Sequence, residues 1–185
     1  MKSLKLFALL TASSLILSCA TISAPPPNNP DSRLILQQFS SNRGPKISVG
    51  TITSTQADLR AIQCRRVGKV SPPEGLTYAQ YTEQLLIDQF TIAPGYDADA
   101  PLRLEGNIDR IDFDSINPGK WMIDMTFRAK GINSFTVSAE YHFSTSLDPN
   151  AACPQVGRAL SPAMYDLLAR LVTHPSFKQL IGYSN

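Results

Sequence analysis

The sequence predicts an α+β domain: a four-stranded, mostly antiparallel sheet with two helices on one face, in the order β-α-β-β-β-α, behind a signal peptide and a proline-rich tether. Three observations carry this. Between residues 102 and 143, three runs alternate apolar and polar side chains and are separated by short turns. Two further segments, one after Thr77 and one towards the C-terminus, space their apolar residues at helical intervals. The chain has 185 residues, 43% of them hydrophobic and 17% charged, enough for one core and too few for several domains.

Residues 1–18 begin with Lys2 and Lys5, continue through Leu6, Phe7, Leu9 and Leu10, and end at Leu15-Ile16-Leu17-Ser18. A short positive start followed by a brief apolar run reads as an export signal, too short and too polar to span a bilayer. Ile16-Leu17-Ser18-Cys19 resembles the bacterial lipoprotein cleavage box, with an aliphatic residue at minus three and a small residue before the cysteine. That resemblance implies that Cys19 becomes the first residue and is acylated. Several acyl chains, at about 0.8 kcal/mol per buried methylene, make such an anchor effectively permanent. An ordinary signal peptide with an incidental cysteine is the alternative. Ala20 follows the cysteine where an Asp would resemble an inner-membrane retention signal, so the resemblance implies outer-membrane sorting with the domain facing the periplasm. Residues 19–45, with Pro25-Pro26-Pro27 and Asn28-Asn29-Pro30, read as a lipidated cysteine and an extended tether, and residues 46–185 as the folded domain.

The formal charge of +2 belongs to the leader: without Lys2 and Lys5 the 17 basic residues fall to 15 and balance 15 acidic ones. No global field recruits nucleic acid. Setting Cys19 aside leaves Cys64 and Cys153, and an even pair in an oxidising compartment most often forms a disulfide; two separate thiols are the alternative. Closing a loop of that span removes about 4 to 5 kcal/mol of unfolded-state entropy in the simple chain model.

Lys46 to Thr53 is β-rich and follows the punctuation of Gly44-Pro45, giving a first strand. Ser54 to Gly75, with Arg60, Arg65, Arg66, Pro72 and Pro73, reads as a long solvated connection with a hairpin or extended piece around Leu59 to Val70. Thr77-Tyr78-Ala79-Gln80 has the form of a capping box and opens a helix with Tyr78, Tyr81, Leu85, Leu86 and Phe90 on its core face. Leu102 to Ile108 alternates with period two, then Ile111 and Phe113 fall out of phase, so a β-bulge is expected near Asp109-Arg110. Asn117 to Lys120 is a turn, Trp121 to Ala129 a strand, Gly131 to Ser134 a turn, and Phe135 to Phe143 the last strand. Leu167, Leu168, Leu171 and Val172 stripe a C-terminal helix, which starts either at Ser161-Pro162 or near Ala152 with a kink at Pro162.

Catalytic signatures are missing: the chain has no G-x-S-x-G, H-E-x-x-H, Walker or dinucleotide glycine pattern, and neither cysteine has a C-x-x-C partner. No enzyme activity, cofactor or metal is expected. His142 falls on the polar face of its strand, and His174 at a helix end, where a histidine can satisfy terminal carbonyls. Asp112 and Asp114 share a strand face that Glu105 and Asn107 could join, which offers a cation site or a carboxylate pair; the acids of a solvated sheet face look the same.

The cleavage box, the L-R-L-E-G-N-I-D strand, the W-M-I-D-M-T-F hairpin and the A-M-Y-D-L-L-A-R-L-V-T-H-P-S-F helix together resemble small outer-membrane lipoproteins. These include the YajG-like lipoproteins, the lipopolysaccharide-assembly lipoprotein and the auxiliary lipoproteins of ABC-type lipid transporters. The resemblance implies a non-enzymatic, lipid-anchored accessory protein that binds a protein of an envelope transport or assembly complex, or a lipid carried by it. The expected contact surfaces are the polar sheet face, around Glu105, Asp112, Asp114, Asp124, Arg128, Glu140 and His142, and the loop carrying Arg60, Arg65 and Arg66. An envelope hydrolase built on His142, Asp112 and Asp114, and a structural lipoprotein tying the outer membrane to peptidoglycan, are the alternatives.

Overall fold

The computed structural model describes residues 45–92 and 95–182. The signal peptide, Cys19 and all of the tether but Pro45 lie outside the described residues. The elements are β1 (Ile47–Ser54), β2 (Ile62–Cys64), β3 (Gly68–Val70), α1 (Tyr78–Thr91), β4 (Leu102–Asp114), β5 (Gly119–Arg128), β6 (Phe135–Phe143), α2 (Pro149–Thr173) and α3 (Pro175–Leu180). Four strands form one sheet in the order β1-β4-β5-β6; β1 runs parallel to β4, and the other two pairs are antiparallel. The parallel pair follows from connectivity, because β1 reaches β4 only through a crossover that contains α1. The expected extended piece is a separate small hairpin, β2 with β3.

Alternation decides which face is covered. Trp121, Ile123, Met125 and Phe127 of β5 and Phe135, Val137 and Ala139 of β6 are buried, while the residues between them are not. The register of β4 against β5 shifts between Ile108 and Arg110, so Asp109 is the extra residue and both halves of β4 keep their apolar side chains inward. Gly119, expected in the turn, begins β5 instead. A Cβ there would stand 2.7 Å from Phe143 Cε2, so only glycine lets the two strands close at that point.

The helices cover the apolar face, α1 chiefly over β1 and α2 over β5 and β6. Thr77 Oγ1 accepts the Gln80 N–H at 3.0 Å and Gln80 Oε1 accepts the Thr77 N–H at 2.9 Å, the reciprocal bonds that the capping box predicts. Tyr81 is only half-buried; Thr82 takes the inward place on that turn. α2 is a single helix from Pro149, capped by Asp148, with Pro154 and Pro162 in its interior. Ser161 is therefore not an N-cap but an interior residue of α2.

Two aromatic side chains of the core pair their polar groups with backbone carbonyls. Trp121 Nε1 donates to the Val156 carbonyl at 3.0 Å, and Tyr78 Oη donates to the Val70 carbonyl at 2.8 Å. These bonds tie β5 to α2 and the start of α1 to the hairpin. His174 differs from expectation: its Nδ1 accepts the Ser176 N–H at 3.2 Å and so opens α3, and its ring stacks on Phe135 with centroids 4.5 Å apart. Pro175 explains this, because it fits the first position of a new helix and leaves a capping role to the residue before it.

Candidate interaction surfaces

Two surfaces carry the residues that the sequence places at contact sites. On the uncovered face of the sheet, all seven residues expected for partner contact share one side, because the bulge at Asp109 restores their phase. They are spent largely on one another and on nearby bases. Arg128 Nε donates to Glu105 Oε2 at 2.7 Å, and Arg110 Nε to Asp124 Oδ2 at 2.7 Å. Lys120 Nζ lies 3.2 Å from Glu140 Oε1, and His142 Nε2 lies 2.9 Å from the same oxygen. The hydrogen bond from Lys120, reinforced by the charges of Lys120 and His142, holds the Glu140 carboxyl below the usual carboxylate range. Asp114 closes the following turn by accepting the Ile116 N–H at 2.8 Å. Asp112 accepts the N–H of its neighbour Phe113, so Asp112 and Asp114 form no shared carboxylate site. Among the described residues, no group of three or more His, Cys, Asp or Glu side chains is placed to hold a metal ion. The face is a ladder of exposed, mutually neutralising pairs, each a small contribution to stability.

The second surface lies at the end of the sheet opposite Pro45. Three loops meet there: the β2–β3 turn, the β4–β5 turn and the segment between β6 and α2. Arg65, expected in a solvated loop, joins them. Its Nε donates to Ser115 Oγ at 2.8 Å, its Nη2 to the Ser115 carbonyl, and its Nη1 to the carbonyls of Ser146 at 3.2 Å and Leu147 at 2.8 Å. A planar guanidinium fork can bridge two separate turns in this way, where a single ammonium cannot. Arg65 and Arg66 hold positive φ angles of 41° and 60°, so the turn delivers Arg65 inward and leaves Arg66 exposed. Arg60 is spent locally on the Gly75 carbonyl at 2.5 Å.

The hairpin is fixed a second time by the Cys64–Cys153 disulfide, with Cα atoms 5.8 Å apart, which joins β2 to the first turns of α2. Around this rigid joint stand Val67, Ile116 and Leu147, at 49%, 65% and 79% exposure, three of the four exposed large hydrophobics among the described residues. Ile116, Leu147, Phe113 and Arg65 line an open cleft of about 640 Å³. Ile116, Leu147 and Val67 were not among the expected contact residues, although an aliphatic residue inside a polar turn such as S-T-S-L-D-P-N is a readable signal. Ser115 and Ser146 carried no signal, because their role depends on a contact 50 to 81 residues away in the chain.

No family model matches the chain, and no curated protein matches it significantly in sequence. Among solved structures, the chain is similar to a Xanthomonas campestris protein of the family model DUF330, with a TM-score of 0.46 and 12% identity over 74% of this chain and 84% of that one. It is also similar to an uncharacterized protein, with a TM-score of 0.34 and 11% identity over 76% of this chain and 92% of the other. Both likenesses are loose and concern the arrangement of the chain alone.

Proposed function

We propose that this chain is a lipid-anchored accessory protein of the bacterial envelope, held at the outer membrane through Cys19, whose periplasmic domain binds a protein of an envelope transport or assembly complex through its loop pole. The observation that carries the reading is the set of exposed aliphatic side chains, Val67, Ile116 and Leu147, held in fixed loops by Arg65 and by the disulfide. Exposed apolar side chains cost little when scattered, but Ile116 and Leu147 line one cleft, and Val67 sits on the hairpin turn that Arg65 and the disulfide fix, a grouping that fits a contact site. Rigidity favours binding, since ordering entropy is lost on folding and not at the moment of association. The cleavage box supports the anchor, and the proline-rich stretch supports reach from a membrane.

Site-specific photocrosslinking in intact envelopes tests the reading. A crosslinker at position 116 or 147 is expected to capture a discrete envelope protein, while one at position 105 or 140 captures little. If the loop positions capture nothing and the purified domain turns over a cell-wall or lipid substrate, the binding role is wrong and the hydrolase reading replaces it.

A further inference from the structure

The two edges of the four-stranded sheet are finished differently. At β1 the edge is closed: the Ile47 N–H donates to the Gly95 carbonyl at 3.0 Å, the Asp97 N–H donates to the Ile47 carbonyl at 3.0 Å, and Glu83 Oε2 accepts the Ile52 N–H at 2.9 Å. The register of β1 is also broken between Val49 and Ile52. These are common devices by which a sheet avoids pairing with another chain. β6 has none of them. It runs nine residues without a bulge or a proline, and no backbone group from 135 to 143 bonds to any described residue other than those of β5.

The side chains along this open edge are ordered symmetrically. On the apolar face the strand reads Phe135, Val137, Ala139, Tyr141, Phe143, bulky at both ends and small at the centre. Laid antiparallel to itself about Ala139, it sets Phe135 opposite Phe143 of the other copy, Val137 opposite Tyr141, and alanine opposite alanine. On the polar face the Ser138 hydroxyl falls opposite the Glu140 carboxylate, and the Thr136 hydroxyl opposite His142, so donors meet acceptors. Aromatic–aromatic, aromatic–β-branched and hydroxyl–carboxylate pairs are favourable neighbours across strands. A slip of two residues would set Ala139 against Val137 or Tyr141, break the Phe135–Phe143 pair and place Ser138 opposite Ser138 or Glu140 opposite Glu140, and a slip of one would oppose the polar face of one copy to the apolar face of the other.

We infer that β6 is a self-pairing edge: two copies of this chain join β6 to β6 antiparallel about Ala139, making one continuous eight-stranded sheet. The two-fold axis stands normal to the sheet, so both helical layers lie on one side and both polar faces on the other. This pairing is independent of the loop pole and of the anchor, and its failure would leave the proposed binding role standing.

The experiment uses the mature chain purified in detergent and follows molar mass against concentration, together with hydrogen exchange of the β6 amides. The unaltered chain is expected to be a dimer in which the β6 amides that do not bond to β5 lose protection on dilution. Ser138→Glu sets two carboxylates opposite each other across the axis and should weaken the dimer at least about tenfold. Because Asp124 lies beside Ser138 within the same copy, retention of fold is checked by circular dichroism. The double variant Ser138→Glu/Glu140→Lys sets a carboxylate opposite an ammonium twice, once on each side of the axis, and should restore pairing. A single-copy mass at every concentration overturns the inference, as does a dimer indifferent to Ser138→Glu or a double variant that fails to recover. Outward-facing amides of β6, those that do not bond to β5, overturn it if they stay protected in single copies, in favour of the chain's own residues 33–39 as the occupant of that edge.

Discussion

Arg65 concentrates four hydrogen bonds on the carbonyls and hydroxyl of two loops. Charge-assisted bonds of this kind contribute more than neutral ones, and their loss leaves part-buried carbonyls without a donor. Arg65→Ala should therefore destabilise the domain by about 2–3 kcal/mol in denaturant unfolding. Arg65→Lys should recover less than half, since an ammonium cannot bridge Ser115 and Leu147 together. Titrating residues set limits at both ends of the pH scale. Burial raises the phenols of Tyr78, Tyr81 and Tyr165 above the ordinary value of 10.0. Their contribution is complete below that value and is lost as pH rises towards the folded-state values, so Tyr78→Phe should flatten the alkaline limb of a stability–pH curve. Glu140 has the opposite sign: its lowered pKa contributes stability above the ordinary carboxylate range, lost as pH falls through the folded value, and Glu140→Gln should remove that part of the acid limb. Residue roles of this kind were the least legible in the sequence. A basic residue in a polar loop looks solvated, and nothing local reveals carbonyls brought to Arg65 from 50 and 82 residues away.

At the scale of elements the sequence was far more informative, because period and punctuation are local. The alternation of β4, β5 and β6, the bulge at Asp109 and the capping box at Thr77 were all readable from neighbouring residues. Thr77→Ala should cost about 1 kcal/mol, measured as a lowered thermal midpoint, because it frees the Gln80 N–H. Gly119→Ala should cost about 1–3 kcal/mol, since its new methyl group would meet the Phe143 ring and Thr145 Cγ2 at the point where β5 and β6 begin to pair. Less legible was the start of α2: Ser161-Pro162 reads as an N-terminus, a start near Ala152 is the alternative, and the helix runs from Pro149 to Thr173 through both Pro154 and Pro162. Tertiary packing outweighs the lost hydrogen bonds: Ala152, Val156, Leu160, Met164, Leu167 and Leu171 place a continuous buried stripe across both prolines.

For the whole molecule, one covalent bond and the proposed lipid anchor each carry a prediction. The disulfide joins residues 89 apart, so replacing Cys64 and Cys153 together with alanine should lower stability by about 2–4 kcal/mol and free the hairpin that carries Arg65. Cys19→Ala should move the protein from the membrane fraction to the periplasmic extract; if it stays in the membrane fraction, the anchor lies elsewhere. Fold class was legible as a sum of local patterns, but the parallel pairing of β1 and the meeting of three loops were not, since both depend on distances in space with no periodic trace. Pro45 lies beside the start of β4, and the loops crown its far end, so thirteen residues of strand, at about 3.3 Å each, set Ile116 and Leu147 about 40 Å from Pro45. The domain is in this sense a spacer. Lengthening β4, β5 and β6 by two residues apiece would preserve every inward and outward position while moving the crown about 7 Å further out.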